Sequence, residues 1–234
     1  MKNAIVCLSK GYSSYKGYEE LIQRNNLVSH HIGNKYPLII FNEGNIPADH
    51  QNYVKNSTSS LQISFQDISN VWDNNYPTAS MGKFFAYDIW EYCKDYENVM
   101  RIDTDCHVLK CTNDPFSLLK DNVFLKSVDW AEDHYPTNST LPFFISNLLN
   151  LPVNAFYNHK FPYTNIYLSN VNFWRQPEVY NILASICNNP ALKTHRWGDL
   201  PILGSLLNVY AKDRVSALEG LSYYHGSHNV VIHC

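Results

Sequence analysis

The chain has no Cys-x-x-Cys pair and no Cys/His spacing suited to zinc, although six cysteines (Cys7, Cys93, Cys106, Cys111, Cys187 and Cys234) are scattered along it. A zinc framework is therefore excluded, and buried free thiols are the expected state. There is no cluster of Lys and Arg, and the formal charge is only -3. That balance offers no long-range attraction for nucleic acid or an anionic membrane. The chain also lacks an apolar run long enough for a signal peptide or membrane anchor. After Met1-Lys2-Asn3 it passes straight into the apolar segment Ala4-Ile5-Val6-Cys7-Leu8, so a soluble, cytoplasmic protein without stable membrane insertion is expected. Neither an internal repeat nor a linker divides it, which predicts one domain over residues 1–234.

With 45% hydrophobic and 14% aromatic residues in 234, the chain can bury a full core. Ala4 to Leu8 reads as a buried strand. A polar turn, Ser9 to Ser14, follows, then a helical pattern through Tyr18, Leu21 and Ile22, and a second strand at Leu38 to Phe41. This is the opening βαβ unit of a parallel sheet, in which ligands gather at the carboxyl ends of strands. Ser9, Lys10 and Gly11 are thus candidate nucleotide contacts by loop position. Leu61 to Phe65 suggests a third strand, and Ser80 to Tyr96 a helix leading into the strand Val99 to Ile102. Cys106 to Leu109 and Val123 to Val128 read as further strands. Trp130 to Asn165, rich in Pro, Asn, His and Tyr, gives no regular pattern and is a candidate wall for an acceptor cleft. Helices are expected from Pro177 to an end near Asn188-Asn189-Pro190, and from around Asp199 through Tyr210. Asn56-Ser57-Thr58 and Asn138-Ser139-Thr140 match the N-glycosylation pattern and are expected in surface loops.

The most informative segment is Asp103-Thr104-Asp105, where the Val99 to Ile102 run stops. Two carboxylates so close cannot both be buried unpaired without losing several kcal/mol of solvation each, on the order of the known cost. A positive partner is expected. A divalent cation gripping a diphosphate meets that need, with Asp103 on the metal or a donor ribose and Asp105 as a direct ligand; a solvated acidic turn is the alternative. Lys83 and Arg101 are the cations best placed to face donor phosphate, and Arg101 equally to pair with Asp103. Asp199, before Leu200-Pro201, reads either as a helix N-cap or as a carboxylate that takes the acceptor hydroxyl's proton or holds its sugar.

Read with its surroundings, the chain resembles the fungal α-1,2-mannosyltransferase family. The segments that carry the likeness, in order, are Met81-Gly82-Lys83-Phe84, Arg101-Ile102-Asp103-Thr104-Asp105, Asn113-Asp114-Pro115-Phe116, Phe173-Trp174-Arg175, Arg196-Trp197-Gly198-Asp199-Leu200-Pro201 and Tyr223-Tyr224-His225. Together they span roughly residues 3 to 229, and the Arg-Trp-Gly-Asp-x-Pro run is the most specific. The resemblance implies a GT-A-like, Rossmann-type mixed α/β sheet flanked by helices, a nucleotide-diphosphate-sugar donor (UDP- or GDP-linked), and Mn²⁺ or Mg²⁺ held by Asp103, Asp105 and His225. His225 is otherwise a packed or surface loop residue, with His228 and His233 as neighbouring decoys. The chain departs from the family at Tyr167, which stands where the fungal enzymes place a proposed nucleophilic glutamate; a contact to the sugar's reactive face or a place in the core are the two readings of that tyrosine. Without the family's anchor and stem it is similar to compact viral or bacterial sugar transferases, for which the location would be bacterial or host cytoplasm.

These readings converge on a hexosyltransferase, with mannosyl transfer implied by the resemblance, acting on a glycan or glycoprotein hydroxyl. Two rivals stay open: a metal-dependent hydrolase using the same paired aspartates, and a non-catalytic glycan-binding module on the same scaffold.

Overall fold

Apolar runs bounded by turn residues become the centre of the sheet, because a strand buried on both faces carries no alternation. The computed structural model describes residues 2–58, 60–131, 135–157 and 160–234. Within these, twelve strands form: β1 (Asn3–Ser9), β2 (Leu38–Asn42), β3 (Ile63–Asp67), β4 (Asn98–Ile102), β5 (Cys106–Cys111), β6 (Phe124–Lys126), β7 (Asp129–Ala131), β8 (Lys160–Pro162), β9 (Ile166–Asn170), β10 (Val215–Ala217), β11 (Leu221–His225) and β12 (Val230–His233). Seven of them make the central sheet, in the order β10-β6-β9-β4-β1-β2-β3. The pairs β4-β1, β1-β2 and β2-β3 are parallel, as the βαβ opening predicts, and β9 runs antiparallel between β4 and β6. Strands β2 and β4 are buried at every position. The fold class is therefore the expected mixed α/β sheet flanked by helices.

Three local features differ from the sequence reading. The helix expected over Ser80 to Tyr96 starts at Pro77, runs to Lys83, widens into a π-turn over Phe84–Asp88 and ends at Tyr92. The supposedly irregular stretch contains a helix, Thr137–Leu149, with Pro142 inside it. Proline there removes one helix hydrogen bond, which is why the pattern gave no signal. Both glycosylation-type sequons lie at helices rather than in loops: Asn56 and Ser57 end the helix Ala48–Ser57, and Asn138 to Thr140 open the helix Thr137–Leu149.

Strand order puts β1 between β2 and β4, and the crevice outside the carboxyl ends of such strands is where α/β sheets place ligands. A second, three-stranded sheet, β12-β11-β5, stands beside that edge. Its register sets His225 on β11 opposite Cys106 on β5. A residue near the carboxyl terminus is thereby brought onto the acidic turn. Among the described residues no helix is long and apolar enough to cross a membrane.

Candidate active site

The positive partner that the acidic turn demands is supplied first by the protein. Arg101, 3% exposed on β4, forks over both oxygens of Asp103 (Nε to Oδ1 2.7 Å, Nη2 to Oδ2 3.0 Å) and donates through Nη1 to Asp199 Oδ2 at 2.6 Å. Its guanidinium also lies 3.4 Å from the centre of the Phe85 ring. Burial alone would weaken its charge, but the two carboxylates outweigh that and hold Arg101 firmly protonated. Bidentate pairs of this kind fix geometry as well as charge. Asp103 is thus engaged within the protein, so the internal-pairing reading of Arg101 is the one the geometry supports. The turn itself closes through Cys106 N donating to the Asp103 carbonyl (3.1 Å), and Arg24, wholly buried, donates to the carbonyl of Ile102 just before it.

Asp105 points the other way. Its Oδ2 lies 3.3 Å from His225 Nε2 and accepts from the Ser227 backbone N–H at 3.2 Å. Gly226 N–H donates to the Asp105 carbonyl (2.8 Å), which locks the two loops together. Burial pushes the Asp105 carboxyl up, but the hydrogen bonds from His225 and Ser227 win and hold it well below the usual carboxylate range. His225 is buried, and its Nδ1 lies 3.2 Å from Tyr163 Oη. A second hydrogen bond of this sort orients a ligating imidazole.

Ligand atoms of Asp105, Cys106 and His225 all fall within 4.8 Å of one another, a group that can hold a metal ion. Burial drives the Cys106 thiol far up, and its soft sulfur suits neither Mn²⁺ nor Mg²⁺, which prefer oxygen ligands. The donor set that remains, one ionised carboxylate and one imidazole, suits Mn²⁺, and Mg²⁺ less well. The residues therefore fit a divalent cation, with Asp103 outside the group.

Beside this pair opens a cleft of about 440 Å³. One wall is aromatic: Trp130 and Tyr163 stack at 4.4 Å and 10° between planes, with the His228 ring against Trp130 at 5.3 Å. The opposite wall is the start of the helix Asp199–Tyr210 and the turn before it. There Gly82 packs so closely that an added Cβ would stand 3.2 Å from the Trp197 carbonyl. Arg196 holds a left-handed backbone (φ 54°), its carbonyl accepting from the buried Thr137 hydroxyl at 2.9 Å. Asp199 is not the helix cap: Gly198 takes that place, and the carboxylate turns to Arg101 instead. Asp199 is the one carboxylate among the described residues that line the cleft.

The remaining candidates sit elsewhere. Tyr167 is wholly buried, stacked on Phe124 at 4.9 Å and outside the described cleft lining, and its hydroxyl has no hydrogen-bond partner among the described residues. The core reading of this residue is the one the geometry supports. Lys83 lies 3.7 Å from Asp88 and faces a separate cavity. Ser9 ends β1 and Lys10 and Gly11 follow it, where Gly11 N–H donates to Asn45 Oδ1 at 2.7 Å. His228 lines the cleft, while His233 bonds Ser222 at the far end of the β11–β12 ladder. Sequence reasoning missed Tyr163, Trp130 and Ser227; the aromatic richness of the 130–165 stretch was the only signal for the first two.

No protein-family model and no curated protein sequence matches the chain. Its fold is nonetheless shared with solved glycosyltransferases. Core-mannan synthase A (CmsA/Ktr4) from Aspergillus fumigatus, in its Mn/GDP form, superposes with a TM-score of 0.79 at 15% identity, covering 96% of this chain and 74% of that one. The mannosyltransferase Ktr4p from S. cerevisiae in complex with GDP gives 0.78 at 16%, covering 96% and 71%. Mouse xyloside xylosyltransferase 1 gives 0.57 at 11%, covering 94% and 85%. At these identities the likeness establishes the GT-A-like fold.

Proposed function

We propose that the protein is a glycosyltransferase that moves a hexose-type sugar from a nucleotide-diphosphate donor to a hydroxyl of a glycan or glycoprotein acceptor. The observation that carries this is the convergence, at the ligand-binding edge of a glycosyltransferase fold, of the Asp105–His225 pair and a cleft lined by Asp199. Asp105 and His225 would hold Mn²⁺ or Mg²⁺. Such an ion, when bound, offsets charge on a departing diphosphate.

The chain's own residues do the rest. Arg101 fixes Asp199 through Oδ2, leaving Oδ1 to accept a hydrogen bond from the acceptor hydroxyl and aim it. The Trp130–Tyr163 stack offers a flat apolar face for the C–H side of a pyranose and keeps water from it. Tyr163 and Ser227 hold His225 in place, and Arg101 orients Asp103 at the base of the turn, its charge pulling against the burial that pushes that carboxyl up. Because Tyr167 is buried where a nucleophile is expected from the resemblance, transfer would proceed without a glycosyl ester at that position. GDP-linked mannose is the first donor to test, since two of the similar structures hold GDP.

The test is incubation with UDP-, GDP- and dTDP-sugars, Mn²⁺ and a panel of glycan acceptors, reading hexose addition by mass spectrometry and nucleotide release in parallel. Acceptor-dependent addition should fall at least about 100-fold in Asp105→Ala and Asp199→Asn. Release that needs no acceptor would instead identify a hydrolase, and glycan binding indifferent to nucleotide and metal would identify a binding module.

A further inference from the structure

A second cavity, also of about 440 Å³, lies on the other side of the helix Pro77–Lys83 and shares Ala79 with the active-site cleft. Its two cations are already paired. Lys83 lies 3.7 Å from Asp88, and Lys193 lies 2.6 Å from Asp73. Balanced in this way, the cavity has no net attraction for an anion or a cation. What it does offer is neutral hydrogen-bonding surface beside an aromatic ring. Tyr76 is 47% exposed at its rim, with the Lys193 ammonium 5.1 Å from the ring centre. The side chains of Asn188 and Thr194 line it and carry no hydrogen bond to other described residues.

An aromatic face with unengaged amide and hydroxyl groups is the chemistry that holds neutral polyhydroxylated rings. We infer that this cavity is a remote saccharide subsite, so that the acceptor is a neutral oligosaccharide lying across Ala79, with its terminal sugar in the Asp199 cleft and a sugar further along the chain against Tyr76. The inference rests on the proposed transferase reading and adds to it the length and charge class of the acceptor. Binding energy from a remote sugar is the kind that lowers KM or raises kcat at a distant reacting centre.

The experiment compares methyl α-mannoside with mannotriose as acceptors, and measures binding of mannotriose, maltotriose and cellotriose to the donor-free protein by saturation-transfer NMR. The enzymes are wild type, Tyr76→Ala and Asn188→Ala, whose side chains are exposed enough to leave folding intact; thermal melting verifies this. Wild type should show kcat/KM at least about tenfold higher for the trisaccharide. Both variants should lose that advantage while keeping the methyl mannoside rate. A length advantage that survives in both variants, or equal rates for both acceptors with no NMR signal, overturns the subsite. Trisaccharide binding that is lost in Tyr76→Ala, in a protein that transfers nothing to any acceptor, supports the subsite and overturns the transferase reading instead.

Discussion

Replacing Arg101 by Met keeps the length and apolar stem of the side chain and removes only the guanidinium. That group makes three hydrogen bonds, two to Asp103 and one to Asp199, from a site 3% exposed. Surface ion pairs contribute at most about 1 kcal/mol, but removing one partner of a buried pair costs about 3–5 kcal/mol because the other charge is left without compensation. Asp199 is itself buried, whereas the Asp103 side chain is 26% exposed and recovers some hydration. The expected loss is therefore about 4 kcal/mol, or about 8–16 °C in Tm for a chain of this size. Urea unfolding followed by tryptophan fluorescence measures it. Acidification should narrow the gap to wild type, since burial already pushes the Asp103 carboxyl up against the pull of Arg101 and, without that pull, it protonates at still higher pH. A loss below about 1 kcal/mol, or a gap that does not narrow on acidification, would refute the view that Arg101 is the counter-charge on which the turn depends.

Three further outcomes follow from single features. Burial raises the Asp88 carboxyl to about 6 against a weaker opposing pull from Lys83, so the folded protein binds more protons than the unfolded chain between about pH 4 and 6, and Asp88's contribution to stability falls as pH rises through that window. Relative to wild type, Asp88→Asn should gain up to about 3 kcal/mol between pH 4 and 7; parallel urea profiles across that range would contradict this. Gly204→Ala improves helix propensity by about 1 kcal/mol, but its Cβ would stand 2.2 Å from the Phe161 ring, and overpacking costs up to about 3 kcal/mol. A net loss of about 2 kcal/mol in denaturant unfolding is expected, and a stabilised variant would show that the two elements separate freely. Trp130→Ala removes the exposed face of the stack with Tyr163 and should raise acceptor KM about tenfold while leaving nucleotide affinity unchanged; the reverse pattern would move the aromatic wall to the donor side.

The sheet was legible because its central strands are uninterrupted apolar runs, and the acidic triplet because two carboxylates at a strand end need a counter-charge. What the sequence could not supply was which counter-charge. Arg101 lies two residues away on the same strand, yet its third hydrogen bond goes to Asp199, 98 positions on, a pairing that only the tertiary fold brings about. Asp199 looked like a helix cap because an acid before Leu-Pro commonly is one; Gly198 took that role and released the carboxylate. His225 was carried by resemblance alone, and its approach to Asp105 follows from a strand register that no local pattern encodes. Trp130 and Tyr163 lay in a stretch where Pro, Asn and His broke every periodicity. Lys83 was read as a cation facing donor phosphate; the fold sets it 3.7 Å from Asp88, across the π-turn Phe84–Asp88.

The central claim is that Asp105 and His225 together bind the ion that holds a nucleotide diphosphate. Isothermal titration of GDP and UDP, each with and without Mn²⁺, into wild type, Asp105→Ala and His225→Ala tests it most directly. The account predicts affinity for one nucleotide that rises at least about tenfold with Mn²⁺, a gain of about 1.4 kcal/mol, and that loses this rise in both variants. Nucleotide binding indifferent to Mn²⁺, or a metal response unchanged in either variant, would contradict it.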